Sequence, residues 1–234
     1  VFQPRTRRGE VRRVYLDQGY LDAKIGEPQV VPIGRKKLKI TIPVGEGAQY
    51  RVGRVALAWI TLFPTQEVAG TVQLKPGNIA SLQQIDKASQ DIQDYFGSRG
   101  YIRTGVAYDL DADPQKRIAD VSFRVKESSL AHIRNILIRG NSQTKDKVIR
   151  RELTVYPGEI FNEVKVRNSE RRLRNLGYFS YVNSMPLETP ELHAYDLAID
   201  VEEQKTGQFM VGAGFSSIDD LIGFVELSQG NFDL

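Results

Sequence analysis

The sequence predicts an α+β chain of tandem modules. Each runs strand, helix, helix, strand, strand and folds as a three-stranded sheet with two helices, and an amphipathic hairpin closes the chain. Three observations predict this. Helix-like segments end in Gly-Tyr three times, at Gly19-Tyr20, Gly100-Tyr101 and Gly177-Tyr178, spaced 81 and 77 residues apart. Alternating strands close on Val44-Gly45-Glu46, Val125-Lys126-Glu127 and Val201-Glu202-Glu203, spaced 81 and 76. Pro76-Gly77 returns 81 residues later as Pro157-Gly158. Independent landmarks that keep one period mark an array of like units rather than one enzyme core.

The middle copy defines the pattern. Residues 50–59 open with Val52, Val55 and Leu57 and read as a strand. Pro64-Thr65 starts a short helix through Val68 and Val72, with Thr65 as its expected cap. A second helix carries Ile85, Ala88, Ile92 and Tyr95 on one face and ends at Gly97 and Gly100. The next strand is expected to place Ile102, Thr104, Val106 and Tyr108 together, and Asp111-Ala112-Asp113-Pro114 turns it. The return strand alternates Ala119, Val121, Phe123 and Val125 inward with Asp120, Ser122, Arg124 and Lys126 outward.

The third copy repeats this order. Ile133, Ile136 and Ile138 form its first strand, Gly140-Asn141 turns out of it, and residues 144–153 are the expected first helix. Val166, Leu173 and Leu176 line the second helix before Gly177-Tyr178, and Leu197, Ile199 and Val201 line the return strand. The first copy shows only its second helix (Val11, Val14, Tyr15), Gly19-Tyr20 and two strands. The expected boundaries are 1–47 for a partial module, 48–128 and 129–205 for complete ones, and 206–234 for the hairpin. Joints of a few residues between modules favour a semi-rigid array.

Beyond Glu203 the pattern changes. Phe209, Val211, Ala213 and Phe215 share one face, opposite Gln208, Met210, Gly212, Gly214 and Ser216. After a turn at Ile218-Asp219-Asp220, Leu221, Gly223, Val225 and Leu227 continue apolar opposite Glu226 and Ser228, and Phe232 suits an aromatic girdle. A bulky apolar face opposite a small or polar one fits a strand between lipid and a barrel lumen. It fits equally a hairpin in a soluble sheet, and two strands alone close no barrel.

Composition narrows the chemistry. The 234 residues are 26% charged and 41% hydrophobic, as in ordinary folded protein, and the net charge of +3 is too small to argue for nucleic acid. With no cysteine, disulfides, thiol catalysis and zinc–thiolate sites are excluded. No apolar run reaches the ~18 residues of a membrane helix. No secretion signal is visible, but residue 1 falls inside a motif, so the chain reads as a piece of a longer one and that silence is uninformative. His132 and His193 lack metal-ligand spacing, and Asp109, Asp111 and Asp113 lack the rest of a calcium loop. The Gly45-Glu46-Gly47 stretch precedes a strand instead of a helix, so it is no dinucleotide loop. Basic clusters (Arg5, Arg7, Arg8, Arg12, Arg13; Arg35, Lys36, Lys37; Arg171, Arg172, Arg174) read as solvated faces, with lipid head groups an alternative near the hairpin. No catalytic, cofactor or metal site is expected.

Modules of this order and length, with Gly-Tyr after the second helix, resemble POTRA domains. Ile138-Arg139-Gly140-Asn141, Arg150-Arg151-Glu152-Leu153 and Arg172-Leu173-Arg174-Asn175-Leu176-Gly177-Tyr178-Phe179 resemble the barrel-proximal POTRA of the BamA family. Glu203-Gln204-Lys205-Thr206-Gly207 resembles that family's passage into its first barrel strand. The resemblance spans essentially the whole chain. It implies a bacterial outer-membrane protein with periplasmic modules, here the end of a third, a fourth and a fifth if the arm has five, followed by the first two strands of a transmembrane β-barrel. It implies that the modules bind unfolded outer-membrane proteins by strand-edge pairing and pass them to the barrel. Accessory assembly lipoproteins are implied partners, with outer-membrane lipid against the C-terminal strands. Pro157 before Gly158 departs from the family, so no lipoprotein contact is carried to a residue.

In the family the usual edge is the strand after Gly-Tyr, here residues 21–30, 102–110 and 179–187. Ile102, Thr104, Val106, Tyr108 and Tyr181 are the candidates for pairing with a client. The residues equally allow these strands to be closed by their own loops. Residues 207–216 are a second candidate edge, where Gly212 and Gly214 either weaken the strand or relieve crowding. A two-partner-secretion or TamA-like translocator, and a periplasmic scaffold without assembly activity, are the alternatives.

Overall fold

Gly19, Gly100 and Gly177 adopt φ of 84°, 99° and 70°, the left-handed backbone with which glycine ends a helix free of a Cβ clash. The computed structural model describes residues 4–33, 37–214 and 222–229. In chain order the elements are α1 (Pro4–Asp17), β1 (Lys24–Ile25), β2 (Gln29–Ile33), β3 (Lys37–Thr41), β4 (Val44–Gly45), β5 (Arg51–Ala58), α2 (Thr65–Thr71), α3 (Leu82–Gly97), β6 (Gly105–Asp113) and β7 (Ile118–Lys126). There follow β8 (His132–Arg139), α4 (Asp146–Arg150), α5 (Glu163–Asn175), β9 (Phe179–Glu188), β10 (Ala194–Glu203), β11 (Gly207–Gly214) and β12 (Ile222–Gln229). The chain divides into two compact units, Val1–Phe96 with Arg103–Ser128, and Gly97–Ile102 with Ser129–Leu234.

In the first unit the sheet order is β5-β7-β6, with β7 parallel to β5 and antiparallel to β6. The expected alternation of β7 holds: Ala119, Val121, Phe123 and Val125 are buried. Ile85, Ala88, Ile92 and Tyr95 of α3 are buried as their spacing requires, and Phe96 joins them, outside the expected stripe. Phe63 meets Tyr95 and Phe96 edge-on at 5.2 and 5.3 Å. Thr65 is not the cap of α2. Pro64 holds the extended cap backbone (φ −58°, ψ 126°) without a side-chain bond, so Thr65 is already helical.

Prolines reshape the N-terminal part of this unit. The expected strand over 21–30 is two short strands, interrupted at Gly26-Glu27-Pro28, and Pro43 splits the return strand into β3 and β4. β2 pairs with β3 and β1 with β4, both antiparallel. Asp17 at the end of α1 accepts from the Gln83 backbone N–H at 2.9 Å and so caps the start of α3.

The second unit has the sheet order β8-β10-β9, with β10 parallel to β8 and antiparallel to β9. Its core gathers Ile133, Ile149, Phe161, Leu173, Leu197 and Ile199, each at most 1% exposed, and Ile102 packs against it. Asn162 caps α5 by accepting from the Lys165 N–H at 2.9 Å, while its own amide donates to the Ser98 carbonyl at 2.7 Å. The helix expected over 144–153 is only Asp146–Arg150. Thr144 N–H is taken by Glu203, and Glu152 and Leu153 bond three residues back, tightening the end into turns.

β11 and β12 form a two-stranded antiparallel ribbon. Phe209 lies opposite Leu227, Val211 opposite Val225 and Ala213 opposite Gly223, so the register joins both apolar patterns on one face. Phe209, Val211, Val225 and Leu227 are each at least two-thirds exposed. On the other face Phe224 covers Gly212, where a Cβ would stand 2.3 Å from the ring. No closed barrel is seen among the described residues. Phe215, Phe232 and the expected turn at 218–220 lie outside them.

Candidate functional site

A three-stranded sheet has two edges, and here they differ. The outer side of β5 is covered at its start: Gly77 N–H donates to the Val52 carbonyl at 2.8 Å, Val52 N–H to Asn78 at 2.8 Å and Ala80 N–H to Tyr50 at 3.0 Å. The second unit repeats this one period on, with Gly158 N–H donating to Ile133 at 2.7 Å, Ile133 N–H to Glu159 at 2.9 Å and Phe161 N–H to Ala131 at 2.8 Å. Pro76-Gly77 and Pro157-Gly158 are therefore edge covers. They cover the start of β5 and of β8, and β6 and β9 form the opposite edges.

The sequence-predicted pairing residues fall into three groups. Ile102 and Thr104 do not lie on the edge strand, which begins at Gly105. Ile102, half-buried, packs against the core of the second unit, and buried Thr104 shares a 3.2 Å hydrogen bond with the Ser128 hydroxyl. A further turn at residues 102–103 delays the extended backbone there, whereas in the second unit β9 begins directly after Gly177-Tyr178. Val106 and Tyr108 do lie on β6. The Tyr108 ring meets Phe123 edge-on at 6.2 Å, and its hydroxyl donates to Asp86 at 2.8 Å. Desolvation, aided by that hydrogen bond, pushes the Tyr108 pKa up to about 12. Tyr181 lies on β9 opposite Glu202 and is half exposed.

On β9, Ser184 N–H donates to Glu170 of α5 at 2.8 Å, and the Val182 carbonyl accepts from Arg174 at 2.8 Å. These bonds identify Val182 and Ser184 as residues whose backbone faces away from β10, because outward groups alternate along an antiparallel strand. Val182 pairs with Val201 as Val106 pairs with Val125. Val106 and Tyr108 therefore direct their backbone outward, while Tyr181 has the opposite parity. β6 ends at Asp113, and the turn is residues 114–117 instead of 111–114; Asp113 accepts from the N–H of Gln115 and Lys116 at 2.9 and 3.1 Å.

The two repeat landmarks acquire distinct roles. At the Gly-Tyr pairs, returning backbone donates to the turn: Tyr50 N–H to Gly19 at 2.8 Å, Ala131 N–H to Gly100 at 2.9 Å and Gln204 N–H to Tyr178 at 2.9 Å. A Cβ on Gly19 would stand 2.7 Å from Ile79, and one on Gly100 2.5 Å from Ile160, whereas Gly177 has nothing within 4 Å. Tyr20, Tyr101 and Tyr178 are half-buried and precede the strands, and Tyr178 packs against the core of the second unit.

The glutamate of Val-x-Glu is a loop clasp, a role the sequence reading missed. Glu127 accepts from Thr61 N–H and hydroxyl at 2.8 and 2.5 Å and from Leu62 N–H at 2.9 Å. Glu203 accepts from Ser142 N–H and hydroxyl at 3.1 and 2.7 Å, Gln143 N–H at 3.0 Å and Thr144 N–H at 2.6 Å. Desolvation raises the Glu203 pKa, but the bonds from Ser142, Thr144 and Gln143 outweigh it and hold the carboxyl at about 2. Gly140 starts that loop with φ 89°, and a Cβ there would stand 1.9 Å from the Val201 carbonyl oxygen. Asn141 pins the loop by donating to Thr144 at 3.0 Å. The signal in the sequence was a Glu closing each return strand 59–66 residues after the loop that follows the module's first strand.

Other expectations change. His132 and His193, distant in sequence, meet through their backbones, His132 N–H donating to the His193 carbonyl at 2.9 Å. Among the described residues no group of three His, Cys, Asp or Glu is placed to hold a metal. Several of these basic residues lie on exposed faces and also hold partners there: Arg12 donates to the Ala23 carbonyl, Arg13 to Asp86 and Arg172 to Glu152. The side chains of Arg5, Arg7 and Arg8, and residues Arg35 and Lys36, lie outside what is described.

Comparison with known proteins places this geometry. The POTRA family, described as "Surface antigen variable number repeat", matches residues 50–128 and 131–204. The outer membrane protein assembly factor BamA of Neisseria meningitidis is 29% identical over 95% of this chain and 28% of its own length. That of Nitratidesulfovibrio vulgaris is 26% identical over 86% of this chain and 26% of its own. The chain thus spans about a quarter of the curated relatives it matches. The crystal structure of Haemophilus influenzae BamA POTRA3-5 shares the fold at a TM-score of 0.75, with 23% identity, covering 86% of this chain and 81% of that one. With the repeated edge covers, turns and clasps, these matches show that the chain belongs to the POTRA family and is a BamA-like member of it.

Proposed function

We propose that this chain is part of an outer-membrane protein assembly factor whose modules lie in the periplasm. In this reading the modules occupy 1–47, 48–128 and 129–205, and 206–234 opens a membrane barrel with Phe209, Val211, Ala213 and Phe215 toward lipid. An unfolded outer-membrane protein arrives as extended strands of alternating apolar and polar residues. It pairs its backbone with the outward N–H and C=O groups of an edge strand and is passed on toward the barrel. Backbone pairing tolerates many sequences, and with no covalent step it stays reversible. Accessory lipoproteins and outer-membrane lipid belong to the reading through the family resemblance. The observation that carries it is the asymmetry of the sheets: in both units the start of the β5 or β8 edge is bonded by the chain's own loop, and the strand after Gly-Tyr forms the opposite edge.

The test is a titration of isotope-labelled chain with a ten-residue peptide of alternating apolar and polar residues, read by amide shifts. Perturbation concentrated on Gly105–Asp113, and absent with a peptide carrying proline at alternate positions, is the expected result. No perturbation of either outer strand at about 1 mM peptide would refute it, since that excludes any pairing stronger than about 4 kcal/mol.

A further inference from the structure

We infer that the two outer strands are unequal receivers: the β6 edge stands open to an extended strand, and the β9 edge is shut by a removable guard formed by Glu170 and Arg174. The inference rests on the strand-edge reading above and adds which edge acts and what controls the other.

The outward backbone row of β9 includes Val182, Ser184 and Pro186. Arg174 occupies the Val182 carbonyl, Glu170 occupies the Ser184 N–H, and the two side chains pair with each other at 3.0 Å one helical turn apart on α5. Pro186 has no N–H to offer, and it sits at an outward position opposite Leu197. Charged side chains and proline are the devices that keep an edge from pairing. The corresponding row on β6 is Val106, Tyr108, Leu110 and Ala112. It contains no proline, and among the described residues no side chain bonds its outer backbone. The guard's absence follows from sequence, since Glu170 and Arg174 correspond, 77 residues earlier, to Gln93 and Gly97.

What the guard covers also suits a strand. Beside Glu170 lies a cleft of about 200 Å³ between α5 and β9, where Phe161, Val166, Pro186 and Leu197 form an apolar floor and Glu163 and Arg167 stand with Glu170 among its polar lining. A strand added to β9 would direct alternate side chains toward α5, and an apolar one would enter this cleft. Glu170 is held by interactions that a competing backbone can replace: its N–H partner would turn to an incoming carbonyl, and its charge would move to solvent with Arg174, already half exposed. The occupant is therefore an extended strand with apolar residues at every second position.

The chain's lack of cysteine allows a direct test. Ala107→Cys on β6 and Met185→Cys on β9, each as a single change, are oxidised with a ten-residue alternating peptide carrying one central cysteine. In the otherwise unchanged chain, disulfide capture is expected at Cys on β6 and only weakly on β9. Glu170→Ala, or the more exposed Arg174→Ala where the first variant loses its circular dichroism, should raise capture on β9 about tenfold, the change expected from ~1.4 kcal/mol of competing interaction, and leave β6 unchanged. Equal capture at both strands of the unmodified chain, or no rise on β9 in either folded variant while β6 still captures, would overturn the guard alone. Absence of capture at both strands in every variant would overturn the strand-edge reading itself.

Discussion

Replacing Glu203 by alanine removes the acceptor of three consecutive backbone N–H groups and one hydroxyl, at 2.6–3.1 Å. A depression from 4.5 to about 2 corresponds by linkage to an upper bound of roughly 3 kcal/mol. The carboxylate is partly open to water, so screening and solvent rescue of the freed N–H groups reduce this to about 1–2 kcal/mol. That is also the size of a lost helix cap, about 1–2 kcal/mol. The sign follows from the depressed pKa: the contribution is full above the unfolded value near 4.5 and fades as pH falls toward about 2. Urea unfolding followed by circular dichroism should show the midpoint of Glu203→Ala lowered by about 0.5–1 M at pH 7, for a slope of about 2 kcal/mol/M. Amide exchange at Gln143 and Thr144 should quicken in parallel. Glu203→Gln, which keeps an acceptor without charge, should lose the acid sensitivity that this carboxyl causes. Unchanged Gln143 and Thr144 protection in the alanine variant would refute the clasp.

Three further outcomes follow from the same structure. Gly140→Ala must hold a left-handed residue and push the Val201 carbonyl away, so it should cost several times the ~1–2 kcal/mol of the conformation alone; Gly177→Ala, with open space around it, should cost only that smaller amount in thermal unfolding. Leu173→Ala, at a fully buried site of α5, should destabilise the second unit by about 2–5 kcal/mol in the same measurement. Tyr108→Phe should abolish a tyrosine ionisation near pH 12 in ultraviolet titration and cost about 1 kcal/mol for the bond to Asp86. In the unmodified chain that tyrosine's contribution is complete below the ordinary value of 10 and disappears as pH rises through about 12.

Much of the architecture was legible because each module obeys local periodicity. Alternation placed Ala119, Val121, Phe123 and Val125 inward, and the 3.6-residue repeat placed Ile85, Ala88 and Ile92 on the buried stripe, since both depend only on neighbours along the chain. Errors gathered where a partner distant in sequence decides the matter. Thr144 belongs to no helix because Glu203, 59 residues later, takes its N–H. Thr104 precedes its strand because the chain turns again at residues 102–103, where Ile102 packs against the core of the second unit. The edge candidates were half legible: Val106 and Tyr108 could be put on a strand, but not the direction of their backbones relative to a neighbouring strand.

By itself the sequence determined the repeat, the module order, the helix ends at Gly-Tyr and the apolar face of the final hairpin, all set by short-range sterics and side-chain periodicity. Only the tertiary structure decided what these residues touch: Pro-Gly bonds the start of one edge, Val-x-Glu clasps a loop, and Glu170 and Arg174 bond the outer backbone of β9. Hydrogen-bonding partners across a sheet are chosen by register and by proximity in space, and neither is written in the spacing of residues along one strand.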